Sequence, residues 1–121
     1  MRLRFTAVAA AAALALPLAA GAQDPVKVAP EKFKVLLEND QVRVLEYKAK
    51  AGEKLAMHSH PDHAIYNVVG GKTKFTTSDG KTQESAVKSG EAIWVPATTH
   101  SAEHLADVHG ILIELKKAAK K

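Results

Sequence analysis

The stretch that decides the fold of this 121-residue chain reads GEKLAMHSH over residues 52–60. Side chains alternate between the two faces of a β-strand, so His58 and His60 point the same way and can share one metal ion. A second stretch, GEAIWVPATTH, occupies residues 90–100 and ends in another histidine. If the strand that carries His100 lies beside the first one, the three imidazoles meet. The two stretches therefore predict a β-structure with a histidine metal site.

Short strands are predicted along the chain from residue 33 onward. Most candidate strands alternate or are rich in β-branched residues and end near Gly, Pro, Asn or Asp, and Asp79-Gly80 is typical of a tight hairpin. The pattern predicts an all-β single domain, either a sandwich or a closed barrel, because closure removes exposed strand edges. The candidate strands cover residues 33–38, 42–47, 55–60, 63–69, 72–77, 82–88, 91–95, 99–106 and 110–116.

Residues 1–22 have the composition of a secretory signal peptide. Arg2 and Arg4 precede an apolar run rich in alanine and leucine, and small residues follow as far as Ala22. The apolar run, residues 5–18, is shorter than the about 20 residues of a transmembrane helix, which argues against an uncleaved anchor. We therefore predict cleavage near Ala22/Gln23, a periplasmic or secreted location, and no stable membrane insertion of the mature chain.

The 99 residues that remain after cleavage fit one small domain. Residues 23–32 are predicted to form an extended N-terminal arm, residues 33–116 the β-barrel, and residues 117–121 a basic tail. The net charge of +4 falls to +2 without the two N-terminal arginines, which gives no argument for a nucleic-acid partner. The chain has no cysteine, so thiolate ligands are excluded and stability depends on a packed core, with a bound metal or a second subunit as further sources.

Both histidine stretches resemble the motifs of the cupin superfamily. The first cupin motif is a glycine, five residues, His-x-His, three or four residues, a glutamate, and six residues to a glycine; Gly52, His58, His60 and the glycine pair at 70–71 match it. The second is a glycine, five residues, a proline, a glycine two residues on, and a histidine with an asparagine four positions later; Gly90, Pro96 and His100 match it in kind. The resemblance extends over residues 33–116 and implies a cupin-like double-stranded β-helix, or jelly-roll barrel, with the histidines at its mouth.

The departures from these motifs concern the metal ligands. The glutamate position falls at Ala64 or Ile65, neither of which can bind a metal. In the second motif Thr98 stands where glycine is usual, the histidine arrives one residue early, and His104 holds the asparagine position. The resemblance implies a three-histidine site for a divalent ion, which could be Fe, Zn, Mn, Cu or Ni. Its ligands are His58, His60 and His100.

Two further histidines are candidates for a fourth ligand or a catalytic acid–base group. His63 lies one residue before the glutamate position, and strand alternation turns it away from the face of Ala64 unless the preceding Pro61-Asp62 turn reorients it. His104 shares the face of His100 in a regular strand and is a candidate ligand or partner of a ligand. Histidine as a residue type titrates near neutral pH, as acid–base catalysis requires, which makes both residues candidates. His109, near a turn, is assigned to the surface.

Other side chains are given structural roles. Tyr66 and Trp94 are assigned to the barrel core, with the pocket wall as the alternative, and four glutamates are assigned to exposed strand positions: Glu46, Glu84, Glu91 and Glu114.

The predicted function is that of a small exported metalloenzyme, dioxygenase-like or isomerase/lyase-like, that acts on a small organic substrate. A non-catalytic periplasmic module that binds metal or a small ligand is the alternative, because the cupin fold hosts many chemistries. The resemblance also implies a homodimer, with residues 23–32 as the segment that crosses between subunits.

Overall fold

The computed structural model describes residues 23–117, so the predicted signal peptide and the last four residues of the basic tail lie outside the described residues. The described part contains one helical turn, α1 (Pro25–Val28), and nine strands. Their bounds are β1 (Phe33–Glu38), β2 (Val42–Ala49), β3 (Lys54–His60), β4 (His63–Val69), β5 (Lys72–Thr77), β6 (Thr82–Ala86), β7 (Ala92–Val95), β8 (Thr98–His104) and β9 (Val108–Leu115). Within residues 23–117 no helix has the length and apolarity needed to cross a membrane.

The strands form two antiparallel sheets. The five-stranded sheet has the order β1-β2-β9-β4-β7, and the four-stranded sheet has the order β3-β8-β5-β6. Strand alternation directs one face of each sheet, here called the inner face, toward the space between the sheets. Core residues come from both inner faces, among them Leu45 and Leu112 of one sheet and Leu55 and Ala102 of the other. The predicted all-β jelly-roll architecture is confirmed.

Glycine begins each of the two histidine stretches for a conformational reason. Gly52 and Gly90 have φ angles of 90° and 84°, in the left-handed region that residues with a Cβ rarely adopt. Each lies in a turn, the first before β3 and the second before β7. The spacing of five residues from Gly52 to His58 therefore runs from a turn into the strand that carries the histidine pair.

The N-terminal segment differs from the extended arm that the sequence predicted. Pro25–Val28 forms one helical turn, with Pro25 at the first helical position, and the Asp24 carboxylate caps it by accepting a hydrogen bond from the Val26 N–H at 3.1 Å. Pro25 and Ala29 are buried, and the turn packs against β1 and β3. The Asp-Pro pair is a helix-start signal, and burial of the flanking apolar residues keeps this short turn in place.

Candidate metal centre

The four-stranded sheet brings the three predicted ligands together. His58 of β3 is the direct cross-strand partner of His100 of β8, and His60 follows two residues later on the same face. One ligand nitrogen from each ring lies within 4.8 Å of those of the other two. The ring centroids are 4.7 Å apart for His58–His60, 4.8 Å for His58–His100 and 5.5 Å for His60–His100. This spacing is close enough for the three histidines to hold one ion.

Hydrogen bonds determine which ring nitrogen of His58 and of His60 is available to bind a metal. His58 Nδ1 lies 2.7 Å from the Ala56 carbonyl oxygen, and a carbonyl only accepts, so Nδ1 carries the proton and Nε2 keeps its lone pair. His60 Nδ1 lies 3.0 Å from a carboxylate oxygen of Glu114 and donates in the same way. A metal-binding imidazole characteristically donates its other N–H to a carbonyl or carboxylate. Both rings therefore have the pattern expected of metal ligands.

Glu114 corrects the prediction that all four strand glutamates are exposed. Glu114 is only 3% exposed, because it lies on the inner face of β9. Its second carboxylate oxygen accepts a hydrogen bond from Arg43 Nε at 3.0 Å. Burial raises the pKa of the Glu114 carboxyl, but the His60 hydrogen bond and the Arg43 guanidinium outweigh it and hold the pKa below its usual value. Glu114 is therefore an ionised acceptor for the His60 N–H.

Burial keeps the rings of His58 and His100 neutral. It lowers the pKa of His58 to about 4, despite the opposing hydrogen bond to Ala56. It also lowers the pKa of His100 to about 3, with further lowering by the neighbouring histidines. Phe75 stacks on the His100 ring at a centroid distance of 4.6 Å. Only the neutral imidazole can bind a metal, so His58 and His100 are in their binding form at neutral pH.

His63 lies beside the group of three histidines. It lies on the inner face of β4 while Ala64 lies on the outer face, as strand alternation predicts, and its ring centroid is 4.7 Å from that of His60. Its Nδ1 lies 2.7 Å from the Pro61 carbonyl oxygen, so Nε2 is the nitrogen that can accept a proton or an ion. Burial lowers its pKa, with smaller contributions from its neighbours. The group within 4.8 Å does not include His63.

His104, the other candidate, has both ring nitrogens engaged in a separate buried cluster. Nε2 is hydrogen-bonded to the Tyr47 hydroxyl at 2.5 Å and Nδ1 to the Thr73 hydroxyl at 2.9 Å. Metal binding or proton transfer at either nitrogen would require one of these bonds to break. His109 is half-buried rather than fully exposed, and its Nε2 pairs with Glu46 at 2.8 Å.

A cavity of about 560 Å³ opens between the two sheets, and His60, His63 and His100 are among its lining residues. Most of the wall is apolar, and Lys81 is the charged side chain that lines it among the described residues, histidines apart. The prediction that Tyr66 and Trp94 lie in the barrel core or in the pocket wall is wrong. They lie on the outer face of the five-stranded sheet, where Trp94 is 55% exposed.

Comparisons with known proteins support the fold. No family model matches the chain, and no curated protein matches it. Among solved structures, a cupin domain from Bordetella pertussis is 21% identical, with a TM-score of 0.63 over 70% of this chain and 92% of that one. An RmlC-like cupin family protein with a double-stranded β-helix fold from Methanocaldococcus jannaschii is 14% identical, with a TM-score of 0.54 over 69% and 78% of the two chains. The chain therefore has the cupin fold.

Proposed function

We propose that this cupin-fold protein is an exported metalloenzyme that acts on a small organic substrate inside the barrel, with a divalent metal held by His58, His60 and His100. One observation carries the proposal. The histidine group adjoins a cavity of about 560 Å³, a size that accommodates an organic molecule and far exceeds the needs of an ion.

The donor set fits a divalent metal of the first transition series. Three imidazoles suit iron, zinc, copper and nickel better than manganese, which prefers oxygen ligands. Because the set brings no negative charge and leaves coordination positions open, the bound metal would polarise a substrate oxygen or support oxygen chemistry.

The cavity wall indicates the substrate class. Its apolar side chains, Phe75 and Ile65 among them, exclude water and contact the body of a substrate. Because the described wall carries no carboxylate and no guanidinium, the substrate is neutral or has at most one anionic group. Such a molecule would place its oxygen or sulfur atoms toward the three histidines.

His63 is the candidate proton acceptor. Its Nδ1 proton is held by the Pro61 carbonyl, and burial lowers its pKa, so at neutral pH the ring is neutral and Nε2 has a free lone pair that can take a proton. Its position next to His60 would allow it to take a proton from a substrate at the metal-facing end of the cavity. A fourth metal ligand is the other role open to this nitrogen.

Metal content tests the proposal first. The mature chain is purified beside a His58→Ala, His60→Ala, His100→Ala triple variant, and bound metals are measured by mass spectrometry. His109→Ala is the matched control, because His109 pairs with Glu46 outside the cavity. We expect near-stoichiometric metal in the wild type and control and loss in the triple variant. Equal metal in all three would refute the site.

Turnover distinguishes an enzyme from a binding module. The metal-loaded protein is screened against diketones, thiols and catechols, which are small molecules with metal-chelating atoms. Turnover that disappears in the triple variant and falls in His63→Gln supports the metalloenzyme. Ligand binding without turnover in any class would support the alternative, a non-catalytic metal or small-ligand binding module.

We also propose that the mature chain forms a homodimer through the outer face of the five-stranded sheet. Apolar side chains form a row across all five strands at successive cross-strand positions, and at a strand spacing of about 4.8 Å the row is about 19 Å long. Trp94 is 55% exposed and Leu37 is 52% exposed at its two ends. We call this set the outer apolar row; its members are Leu37, Val44, Ile113, Ala64 and Trp94.

Two further features favour self-association at this face. A two-fold axis near the middle of the row would place Trp94 of one copy over Leu37 of the other, which buries both large side chains. The Glu46 carboxylate lies 2.8 Å from His109 Nε2 and accepts a hydrogen bond from it within the chain, so Glu46 already has a partner at this face. The N-terminal segment, expected to cross between subunits, contacts its own barrel in this structure. Export continues to rest on residues 1–22 alone.

A further inference from the structure

A continuous line of charged hydrogen bonds joins the N-terminal segment to the metal-facing histidines. The His60 ring donates to Glu114 at 3.0 Å, and Arg43 Nε donates to the other oxygen of that carboxylate at 3.0 Å. The two terminal nitrogens of Arg43 donate to the two oxygens of Asp24, at 3.0 and 2.8 Å. Asp24 is therefore three contacts away from a predicted ligand, although it lies 36 residues before His60 in the sequence.

The geometry of this line is restrictive. The guanidinium is planar, and its N–H groups donate to two carboxylates only in fixed directions. The side chains of Arg43 and Glu114 are 16% and 3% exposed, so water screens their contact weakly, whereas the Asp24 side chain is 32% exposed and its charge is screened more. Asp24 binds both terminal nitrogens of Arg43, one of which also lies 2.8 Å from Glu114, and thereby fixes the plane in which the guanidinium meets the Glu114 carboxylate. The Glu114 carboxylate in turn sets the plane of the His60 ring.

A second contact from the same segment reaches the strand of the ligands. The Ser59 N–H donates to the Gln23 carbonyl oxygen at 2.7 Å. Ser59 lies between His58 and His60, and β3 is an edge strand of the four-stranded sheet. The segment therefore holds the backbone between two ligands as well as the ring of one of them.

We propose that residues 23–29 form a strap that completes the metal centre, with Asp24 as a positioning residue for His60. The proposal rests on the proposed three-histidine site. Docking of the strap pre-orients His60 Nε2 before the metal arrives, so loss of the Asp24–Arg43 pair weakens metal affinity even though neither residue touches the ion.

Asp24→Asn separates positioning from simple structural support. Asparagine can still cap α1 through its side-chain oxygen, but it lacks the charge and the second acceptor oxygen that Arg43 uses. The matched control is Glu38→Gln, which removes a carboxylate from the half-exposed pair with Lys116 at 2.8 Å. Arg43→Lys is the second variant, because it keeps the charge and loses the fork.

The measurement is the affinity of each purified full-length mature variant for Zn²⁺ and Co²⁺, by competition with a chromogenic chelator well below the unfolding temperature. Removing a hydrogen-bond partner of a ligand costs about 10–100-fold in metal affinity, so we expect a loss of about 10-fold for Asp24→Asn and Arg43→Lys and none for Glu38→Gln. If folded Asp24→Asn binds the metal as tightly as Glu38→Gln does, the strap proposal is overturned. If Asp24→Asn does not fold, the same comparison is made with Arg43→Lys.

A metal-free readout separates this inference from the proposed function. The His60 Nδ1–H proton is followed by nuclear magnetic resonance in the metal-free protein, where the bond to Glu114 protects it from exchange. We expect faster exchange in Asp24→Asn than in Glu38→Gln. If the wild type binds no metal, the three-histidine site fails, and unchanged exchange then also overturns the positioning role of Asp24. If the wild type binds metal and Asp24→Asn matches the control, the strap alone fails.

Discussion

Glu114→Gln removes the carboxylate that joins His60 to Arg43. Glutamine has nearly the same shape, so the substitution leaves no large cavity. His60 and Arg43 donate to different oxygens of Glu114, and glutamine keeps only one acceptor oxygen, so one charge-assisted hydrogen bond becomes weaker and the other donor faces an NH2 group, in a site where Glu114 is only 3% exposed. Hydrogen bonds to charged groups contribute about 1.5–3 kcal/mol each, and complete loss of one partner of a buried ion pair costs about 3–5 kcal/mol.

Asp24 remains as a partner for Arg43 in this variant, so the buried guanidinium keeps part of its compensation. We therefore expect Glu114→Gln to lower the free energy of unfolding of the metal-free protein by about 2–4 kcal/mol. Urea unfolding of the metal-free protein measures this change. The same variant should lower the affinity for Zn²⁺ by about 10–100-fold, because His60 loses the charged acceptor that orients it.

Glu84→Gln is the control for the Glu114 variant. Glu84 pairs with Lys72 at 3.1 Å, and both side chains are about half exposed, so the pair contributes less than about 1 kcal/mol. A loss below about 1 kcal/mol for Glu114→Gln, comparable with the control and without a change in metal affinity, would refute the role given to Glu114.

Three other predictions follow from the described contacts. Tyr47→Phe leaves a His104 nitrogen without its buried partner, so urea unfolding should show a free energy of unfolding lower by about 1–3 kcal/mol. Metal affinity should stay unchanged in this variant, and a tenfold loss of affinity would contradict the separation of the Tyr47–His104 cluster from the metal site. The pKa of His58 falls from 6.5 in the unfolded chain to about 4 in the folded one, so the unfolded state binds more protons between these values and stability is lost as pH falls through this window. The loss from this group is about 3 kcal/mol in the metal-free protein, and urea unfolding that gives equal stability at pH 7 and pH 4 would show the assignment to be wrong. Trp94→Glu places a charge at the exposed end of the outer apolar row, so analytical ultracentrifugation should show a monomer in place of the dimer. The control Ala86→Glu, on the four-stranded sheet, should remain a dimer. A Trp94→Glu protein that stays dimeric excludes the outer apolar row as the interface.

The sequence predicted the strands well because the signals involved are local. Candidate strands 33–38, 63–69 and 72–77 agree with β1, β4 and β5 at both ends, since turn residues bound them. Residues 25–28 form a helical turn instead of the predicted extended arm, and the Asp-Pro pair before them is the local signal for that turn. Export and dimer formation stay predictions, because they depend on residues outside the described range or on a second copy.

The choice of which strand face to bury was harder to predict. In β9 the sequence around Ile113 and Glu114 has apolar residues on both faces, so alternation alone does not say which face turns inward. The structure turns Glu114 inward, where Arg43 and His60 compensate its charge. Strand β7 has the same ambiguity, because its residues Ala92–Val95 are all apolar, and Trp94 lies on the outer face instead of in the predicted core or pocket.

The sequence by itself determined that His58 and His60 share a face, because alternation is a property of a single strand. It also predicted that His100 would join them, through the spacing of two glycine-led stretches. Only the tertiary structure decided that Glu114 and Arg43 support this site, that His104 does not belong to it, and that the N-terminal segment reaches it. These facts depend on the pairing of β2 with β9 and on the packing of one sheet against the other, which no local pattern encodes.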